Sequence, residues 1–236
     1  MAQASKLEII SIAERGARLT QPFSMVELAP IDDLMLSIFL CQGTLQIHRH
    51  VDQDELFLVH SGTISVESDW GNVVLRPHEL TVVPKGVGHR SASLVSSLVL
   101  LLQPHVVVDR RNGDRRVFAL KGEKHLEKVS LAAMGRQVVV PFNPVLVADL
   151  DTFAVQLTLC EGMGPWQTDD HQATLVLCHD GRLTVDSRGL GQASLAPAEL
   201  TVIPQRIPHR LLSTGRAVAL GVKRHKQPGL PLPDQG

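Results

Sequence analysis

The chain has 236 residues, with 23 Lys and Arg against 24 Asp and Glu and a formal net charge of -1. This balance predicts neither a nucleic-acid partner nor attraction to an anionic membrane, because both recruit basic surfaces. No stretch approaches the roughly 18 uninterrupted apolar residues of a membrane helix, and the N-terminus lacks the pattern of a signal peptide. The sequence therefore predicts a cytoplasmic protein without a membrane partner.

Two residue types narrow the chemistry further. The 3 cysteines form no C-x-x-C pair, which argues against a disulfide framework or a zinc ribbon. Tyrosine is absent and aromatic residues make up 3% of the chain, which disfavours a cation cage or a base-stacking platform. The 11 histidines are the unusual feature of the composition.

The sequence contains an internal repeat. Residues 7–62 align with residues 126–181 at a constant offset of 119, and one extra residue near Gly189 raises the offset to 120. Beyond it, the segment ELTVVP at 79–84 corresponds to ELTVIP at 199–204. The repeat predicts an N-terminal domain over 1–108, a charged linker over 109–120, and a C-terminal domain with an extended tail over 121–236.

Each copy contains short apolar segments separated by turn residues. Such segments, rich in Val, Ile, Leu and Thr and bounded by Gly, Pro, Asn or Asp, are typical of strands. Their close spacing predicts an all-β sandwich or barrel. In the first copy, the predicted strands cover residues 34–41, 56–60, 63–67, 72–75, 80–83 and 98–102.

Four residues of the first copy have the chemistry and spacing of a metal site. His48 and His50 lie two apart on a strand, so both imidazoles face the same side. The polar stretch 51–54 supplies a turn that resets the strand phase for Glu55, and a turn with one proline and two glycines returns His89 toward them. Three imidazoles and a carboxylate suit a divalent transition metal and leave two of six positions open.

These residues resemble the two motifs of the cupin superfamily, G-x5-H-x-H-x(3,4)-E-x6-G and G-x5-P-x-G-x2-H-x3-N. The first motif matches from Gly43 to Gly62, with four residues before the first histidine rather than five. The second matches at Pro84, Gly86 and His89 but lacks the opening glycine and has Ser93 in place of Asn. These departures affect turn and rim positions and leave the metal-ligand positions of the motifs intact.

The resemblance implies two tandem cupin barrels, each a jelly-roll-like double-stranded β-helix. It also implies one divalent transition metal in the first barrel, either Fe, Mn, Ni, Cu or Zn. The implied ligands are His48, His50, Glu55 and His89.

The second copy has lost most of these ligands. Gln167, Asp169 and Thr174 replace the first three, and only His209 remains. This barrel is therefore predicted to pack against the first, to close it, or to bind an organic ligand without a metal. Trp166, Gln167 and Arg206 are candidates to line such a pocket, with ordinary core and rim residues as the alternative.

Two classes of function fit this pattern. The first is a metal-dependent enzyme acting on a small organic molecule that chelates the metal at the open positions. A redox-active metal would make it a dioxygenase, and a Lewis-acid metal an isomerase or lyase. The second class is a ligand-binding or sensory protein without turnover, and the cupin resemblance does not decide between the classes because one fold hosts many chemistries.

No general base is clearly placed in the first copy. Glu55 could serve only if it left the metal, and Cys41 and Gln46 are weak candidates. A predicted apolar wall favours a substrate with a hydrophobic part; its residues are Phe39, Ile47, Phe57 and Val59.

The remaining predictions concern assembly and the other histidines. The region 7–19 and the outer strand faces are predicted to pair with another subunit, which would give a homodimer. His60 is expected to be structural, because it lies next to a turn on the opposite strand face. Surface positions are expected for His78, His105, His125 and His225.

Overall fold

The computed structural model of the protein describes residues 6–104, 110–112 and 124–225. These residues form two antiparallel sheets and two short helices, which confirms the predicted all-β class. No helix in these ranges is long and apolar enough to cross a membrane.

The larger sheet forms the N-terminal barrel. Its ten strands are β2 (Met25–Ile31), β3 (Leu34–Thr44), β4 (His48–His50), β5 (Glu55–Ser61), β6 (Ile64–Ser68), β7 (Gly71–Leu75), β8 (Glu79–Val83), β9 (His89–Pro104), β10 (Arg110–Asn112) and β11 (Val129–Ser130). The long strand β9 pairs with β3, β4, β5 and β6, so it holds the barrel together.

The smaller sheet forms the C-terminal barrel in the same way. Its eight strands are β1 (Ile10–Ser11), β12 (Val145–Leu150), β13 (Phe153–Met163), β14 (Thr174–Asp180), β15 (Leu183–Ser187), β16 (Gly191–Leu195), β17 (Glu199–Ile203) and β18 (His209–Arg224). The long strand β18 pairs with β13, β14 and β15.

Each repeat begins with a strand that joins the sheet of the other repeat. β1 pairs with β17 and precedes helix α1 (Ile12–Gly16), whereas β11 pairs with β8 and precedes helix α2 (Leu131–Gln137). Ser11 and Ser130 cap these helices, because their hydroxyls accept hydrogen bonds from Glu14 N and Ala133 N. The two barrels are therefore tied together by exchanged strands.

This exchange corrects the predicted role of residues 7–19. Leu7, Ile10 and Ile12 are buried within the chain, and Leu7 N donates to Leu190 O of the C-terminal barrel. The apolar side chains assigned to a subunit contact are thus used inside the chain, because the second repeat offers them an open sheet edge.

A shared apolar core joins the barrels, and each barrel has a further core of its own. Burying one Leu or Ile side chain contributes roughly 1.5–3 kcal/mol, so this contact is a large part of the stability. The shared core contains equivalent residues from both repeats, including Ile38 and Leu157, Leu58 and Leu177, and Leu100 and Leu220.

Two strand predictions need correction. The strand predicted at 98–102 is the second half of β9, whose first half was missed because its buried serines, such as Ser91 and Ser93, break the apolar pattern. Part of the predicted linker, Arg110–Asn112, is strand β10 and pairs with β4. The rest of the linker, His105 and the tail beyond residue 225 lie outside the described residues.

Candidate metal centre

Three neighbouring strands bring the four predicted residues together. His48 and His50 are the first and last residues of β4, so they face the same side. Glu55 begins β5 and His89 begins β9, and β9 pairs with both β4 and β5. His48 lies directly opposite His89 in this pairing, so the four side chains meet at one end of the barrel.

The turn between β4 and β5 sets the position of Glu55. Residues 51–54 leave the strand conformation, as predicted. Asp54 fixes the turn, because its carboxylate accepts hydrogen bonds from Lys85 N at 2.9 Å and Asp151 N at 3.1 Å. Gly86 N also donates to His50 O at 2.6 Å, which ties the turn before His89 to strand β4. One of these contacts comes from the C-terminal barrel, so the two repeats together shape the site.

The four side chains form a compact, buried cluster. Their ligand atoms all lie within 4.8 Å of one another, and each residue is at most 5% exposed. Glu55 lies between two of the histidines, with Oε1 3.1 Å from His50 Nε2 and Oε2 2.8 Å from His89 Nε2. These separations leave room for one ion among the donor atoms.

The outer nitrogen of each imidazole also has a partner. His48 Nδ1 lies 3.0 Å from Gln46 O, and His89 Nδ1 lies 3.1 Å from Val87 O. Each of these nitrogens faces a carbonyl acceptor, which directs the Nε2 atoms into the cluster as the candidate ligand atoms. His50 Nδ1 lies 3.2 Å from the side-chain amide of Gln53, whose oxygen and nitrogen can exchange places to accept the same kind of hydrogen bond.

The electrostatics favour an ionised carboxylate in the cluster. Burial by itself raises the pKa of Glu55, but the close contacts with His50 and His89 lower that pKa to about 2. An ionised carboxylate is the form that binds a metal. The buried Nε2 of His50 lacks a well-directed hydrogen bond, which is the state expected of an atom that serves as a ligand. The cluster thus has the donor set for a divalent transition metal.

A cavity of about 300 Å³ opens beside the cluster. Of the predicted apolar wall, Phe39 and Phe57 line this cavity, whereas Val59 packs in the barrel core and Ile47 lies away from the cavity. Ile47 lies in the short connection between β3 and β4, outside any strand. Four further apolar residues line the cavity and were missed from the sequence, since they lie on other strands or in connections; these are Phe23, Met25, Leu45 and Leu101.

Neither weak candidate for a general base lines the cavity. Cys41 is fully buried in the barrel core, and burial raises the pKa of its thiol. The Gln46 side chain is exposed, and this residue contributes only its backbone carbonyl, as the acceptor for His48. The polar cavity residues outside the cluster are Ser91 and Gln103.

The C-terminal barrel has its own cavity, of about 190 Å³, at the equivalent place. Gln167, Asp169, Thr174 and His209 all line it. The predicted lining residue Trp166 is instead partly exposed and stacked between two arginines, and Arg206 Nε donates to Asp170 O. The structure therefore confirms Gln167 as a lining residue and corrects the other two.

We compared the sequence and the fold with those of known proteins. No family model matches the chain. Among curated proteins, an uncharacterized protein of Bacillus subtilis (strain 168), YdbB, is 29% identical over 101 residues, which is 42% of this chain and 87% of that protein.

Solved structures match over nearly the whole chain. A cupin 2 conserved barrel domain protein from Leptotrichia buccalis has a TM-score of 0.68 and 10% identity, covering 92% of this chain and 96% of its own. A salicylate 1,2-dioxygenase from Pseudaminobacter salicylatoxidans has a TM-score of 0.72 and 10% identity, covering 94% of this chain and 84% of its own. The structure of that enzyme as adducts with gentisate has a TM-score of 0.72 and 11% identity, covering 94% of this chain and 82% of its own. The chain therefore has the fold of the cupin barrels.

Proposed function

We propose that the protein is a metal-dependent oxidoreductase of the dioxygenase type, acting on a small organic molecule with an apolar part. The observation that carries the proposal is the position of the buried cluster in the wall of an otherwise apolar cavity. Clefts of about 300 Å³ are at the small end of those that bind organic ligands. A substrate of this class would bury its apolar part against the cavity wall and turn its oxygen atoms toward the cluster.

The metal ligands in this proposal are His48, His50, Glu55 and His89. When bound, a redox-active divalent ion such as Fe, Mn, Ni or Cu would supply the electron-transfer chemistry needed for reaction with dioxygen. The chain holds the imidazoles in the correct tautomer through backbone carbonyls and keeps the Glu55 carboxylate ionised. Phe39 and Phe57 provide an apolar wall on the substrate side of the cluster.

The lining of the cavity favours oxidation over isomerase or lyase chemistry. Those reactions need a general base within hydrogen-bond reach of the substrate proton. Apart from the cluster, the described cavity residues include only a hydroxyl, Ser91, and an amide, Gln103, as polar groups. Both can orient a substrate oxygen, but neither takes up a proton near neutral pH.

The solved structures support the same class by analogy of fold. The salicylate 1,2-dioxygenase covers 94% of the chain, and one of its structures contains adducts with gentisate. Sequence identity of 10–11% gives the fold and leaves the substrate open. Gentisate and salicylate are therefore the first probes, together with a β-diketone as a chelator that lacks an aromatic ring.

The test combines metal content with oxygen consumption. Protein purified without a His-tag is expected to contain nearly one equivalent of Fe, Mn, Ni or Cu and to consume oxygen with at least one probe. His89→Ala should lose the metal and the oxygen uptake, because one of four ligands is gone. The matched control is His209→Ala, the equivalent histidine of the C-terminal barrel, which should keep the metal content of the wild type.

Other outcomes would contradict the proposal. Zinc as the bound metal, with no oxygen uptake, would point to Lewis-acid chemistry. Saturable binding of the probes without turnover would point to a binding protein. Wild-type protein that takes up no metal after reconstitution under reducing conditions would exclude a metalloenzyme.

A further inference from the structure

The cavity of the C-terminal barrel is suited to a molecule smaller than most drug-sized ligands. Its volume of about 190 Å³ corresponds to roughly six water molecules in the liquid. The lining contains both apolar and polar side chains, so the ligand should have both characters. The residues that matter for this argument are the apolar Phe142, Val176 and Leu211 and the polar Thr174, His209 and Lys223.

The strand register places Lys223 in the lining of this cavity. In the pairing of β14 with β18, Leu175 lies opposite Val222, and the neighbouring residues on the two strands, Thr174 and Lys223, both line the cavity. Val222 is fully buried in the core shared by the barrels. Lys223 therefore points to the other side of the sheet and lines the cavity.

The same register in the N-terminal barrel defines what Lys223 replaces. There, Leu56 lies opposite Leu102, and the neighbouring residues on the two strands are Glu55 and Gln103. The carboxylate and amide of the N-terminal barrel thus correspond to a threonine hydroxyl and a lysine ammonium group in the C-terminal barrel. The C-terminal barrel thus has a lysine at the position that Gln103 occupies beside the metal-ligand cluster of the N-terminal barrel.

This cation has no acidic partner in the part of the chain that the structure describes. No carboxylate lies within 4.0 Å of Lys223 Nζ in those ranges. Asp169 is the acidic residue of the cavity lining, but its Oδ1 accepts from His171 N at 3.3 Å and its Oδ2 accepts from the Gln172 amide. Lys223 therefore has no direct ion-pair partner in the described residues, while neutral donors hold the Asp169 carboxylate, so an anionic ligand can pair with the lysine.

His209 adds a directed hydrogen-bonding atom to the same cavity. The residue is 3% exposed, and its Nδ1 donates to Ile207 O at 3.0 Å. Its Nε2 has no partner among the described residues and is therefore free to accept a hydrogen bond from a ligand. Burial lowers the pKa of His209 more than the hydrogen bond to Ile207 and the charge of Asp169 raise it, which favours the neutral imidazole.

We propose that the C-terminal barrel binds a small organic carboxylate without a metal ion, with Lys223 as its counter-cation. The carboxylate pairs with the ammonium group, while the apolar part of the ligand packs against Phe142, Val176 and Leu211. A single cation calls for one carboxylate rather than two. In this proposal a lysine side chain binds the ligand in the C-terminal barrel, whereas a metal held by the ligand cluster would bind it in the N-terminal barrel.

Benzoate is the probe, because it joins one carboxylate to a small apolar ring, and benzamide is its neutral counterpart. The full-length protein, labelled at Ala, Leu and Val methyl groups, is titrated with each compound and followed by NMR. Benzoate should shift the methyl signals of Leu211 and Ala219, which line the C-terminal cavity. Benzamide should bind at least about tenfold more weakly, because it lacks the charge.

Variants separate a charge effect from a loss of structure. Lys223→Met should weaken benzoate binding at least about tenfold, whereas Lys223→Arg should retain it. Gln103→Met, at the equivalent position of the N-terminal barrel, should leave the Leu211 and Ala219 shifts unchanged. Thermal unfolding of each variant identifies any that fails to fold. In that case the comparison of benzoate with benzamide binding to the wild-type protein tests the proposal.

Three results would overturn the proposal. The first is equal affinity for benzoate and benzamide, and the second is unchanged benzoate binding by Lys223→Met. The third is a set of shifts confined to Leu45 and Leu101, which line the N-terminal cavity. That pattern would assign carboxylate binding to the N-terminal site alone.

Discussion

The two barrels place different chemistry on equivalent strands. Glu55 is the first residue of β5, and Thr174 is the first residue of the equivalent strand β14. His89 and His209 each begin the long strand that holds its barrel together. The N-terminal interior gathers three imidazoles and a carboxylate, whereas the C-terminal cavity is lined by one imidazole, the Asp169 carboxylate and Lys223. Substitution has changed the chemistry of a cavity without changing the strands around it.

The residues that build the frame explain this separation. Side chains on alternate positions of each strand face the core between the barrels, and the others face a cavity. Positions that face the shared core, such as Leu58 and Leu177, are apolar in both repeats. At a position that faces the cavity, Phe57 of the first barrel corresponds to Val176 of the second. The shared core keeps the fold, so the inward positions were free to diverge.

The largest expected effect is the creation of a second metal site. Four substitutions, Gln167→His, Asp169→His, Thr174→Glu and Lys223→Gln, would supply the missing ligands and remove the repelling cation. We expect metal content to rise from about one to about two equivalents, because all four ligand positions are then filled. Elemental analysis measures this directly. The first three substitutions without the change at Lys223 should add no metal, and equal gain in both proteins would contradict the role given to that charge.

The turn glycines should show a large effect on stability that is common to both barrels. Gly62 and Gly181 have φ of +83° and +76°, and a Cβ on either would press on backbone atoms, such as Ser97 Cα at 2.8 Å and Ala217 Cα at 2.8 Å. We expect an Ala substitution at either position to lower the free energy of unfolding by about 3 kcal/mol.

Urea unfolding of the two glycine variants provides the measurement. Gly71→Ala is the control, because its φ is +102° but a Cβ would meet nothing within 4 Å. Its loss of stability should be smaller, since backbone strain acts there without a clash. Equal losses in all three variants would show that the close contacts add nothing.

The paired glutamines offer a milder test of the metal centre. Gln53 contacts His50 Nδ1 at 3.2 Å, and Gln172, its equivalent, donates to Asp169. Gln53→Leu should weaken metal binding by about 10- to 100-fold, because loss of the partner that orients a metal-binding histidine has effects of that size. Competition with a chelator measures the change. Gln172→Leu should retain wild-type affinity, and a similar loss there would indicate a general effect on folding.

The smallest effect concerns pH and the contact between the barrels. His60 and His179 are equivalent residues, and the His179 ring lies 5.0 Å from that of His78. Burial, and then the positive charge of His78, lowers the pKa of both residues below the ordinary 6.5. The folded protein thus holds them neutral while the unfolded chain takes up protons below pH 6.5, so stability is full above that pH and falls below it.

Replacing both buried histidines should remove part of this pH dependence. We expect the Tm of the wild type to drop more between pH 7 and pH 5 than that of His60→Gln/His179→Gln, by roughly 2–4 °C. Thermal unfolding at several pH values makes the comparison. The control is His171→Gln, at an exposed position with no ion pair among the described residues, which should follow the wild type. Parallel curves for all three proteins would exclude a contribution from this contact.

Local spacing in the sequence was sufficient to predict the candidate site. His48 and His50 share a strand face because the side-chain period of a strand is two, and the polar stretch 51–54 permits the turn before Glu55. The offset of 119 between the repeats likewise needs only the sequence. These features depend on residues close in the chain, where backbone geometry fixes which side chains can meet.

Tertiary structure decided the features that depend on distant strands. The exchange of β1 and β11 between sheets, the pairing of β10 with β4, and the place of Lys223 beside Thr174 all follow from strand register. Two strands can pair in several registers with similar local preference, and the choice is made by the apolar faces that must be buried together. The sequence by itself thus determined the metal-ligand pattern and the repeat, whereas the packed fold determined that Lys223 lines the cavity of the second barrel.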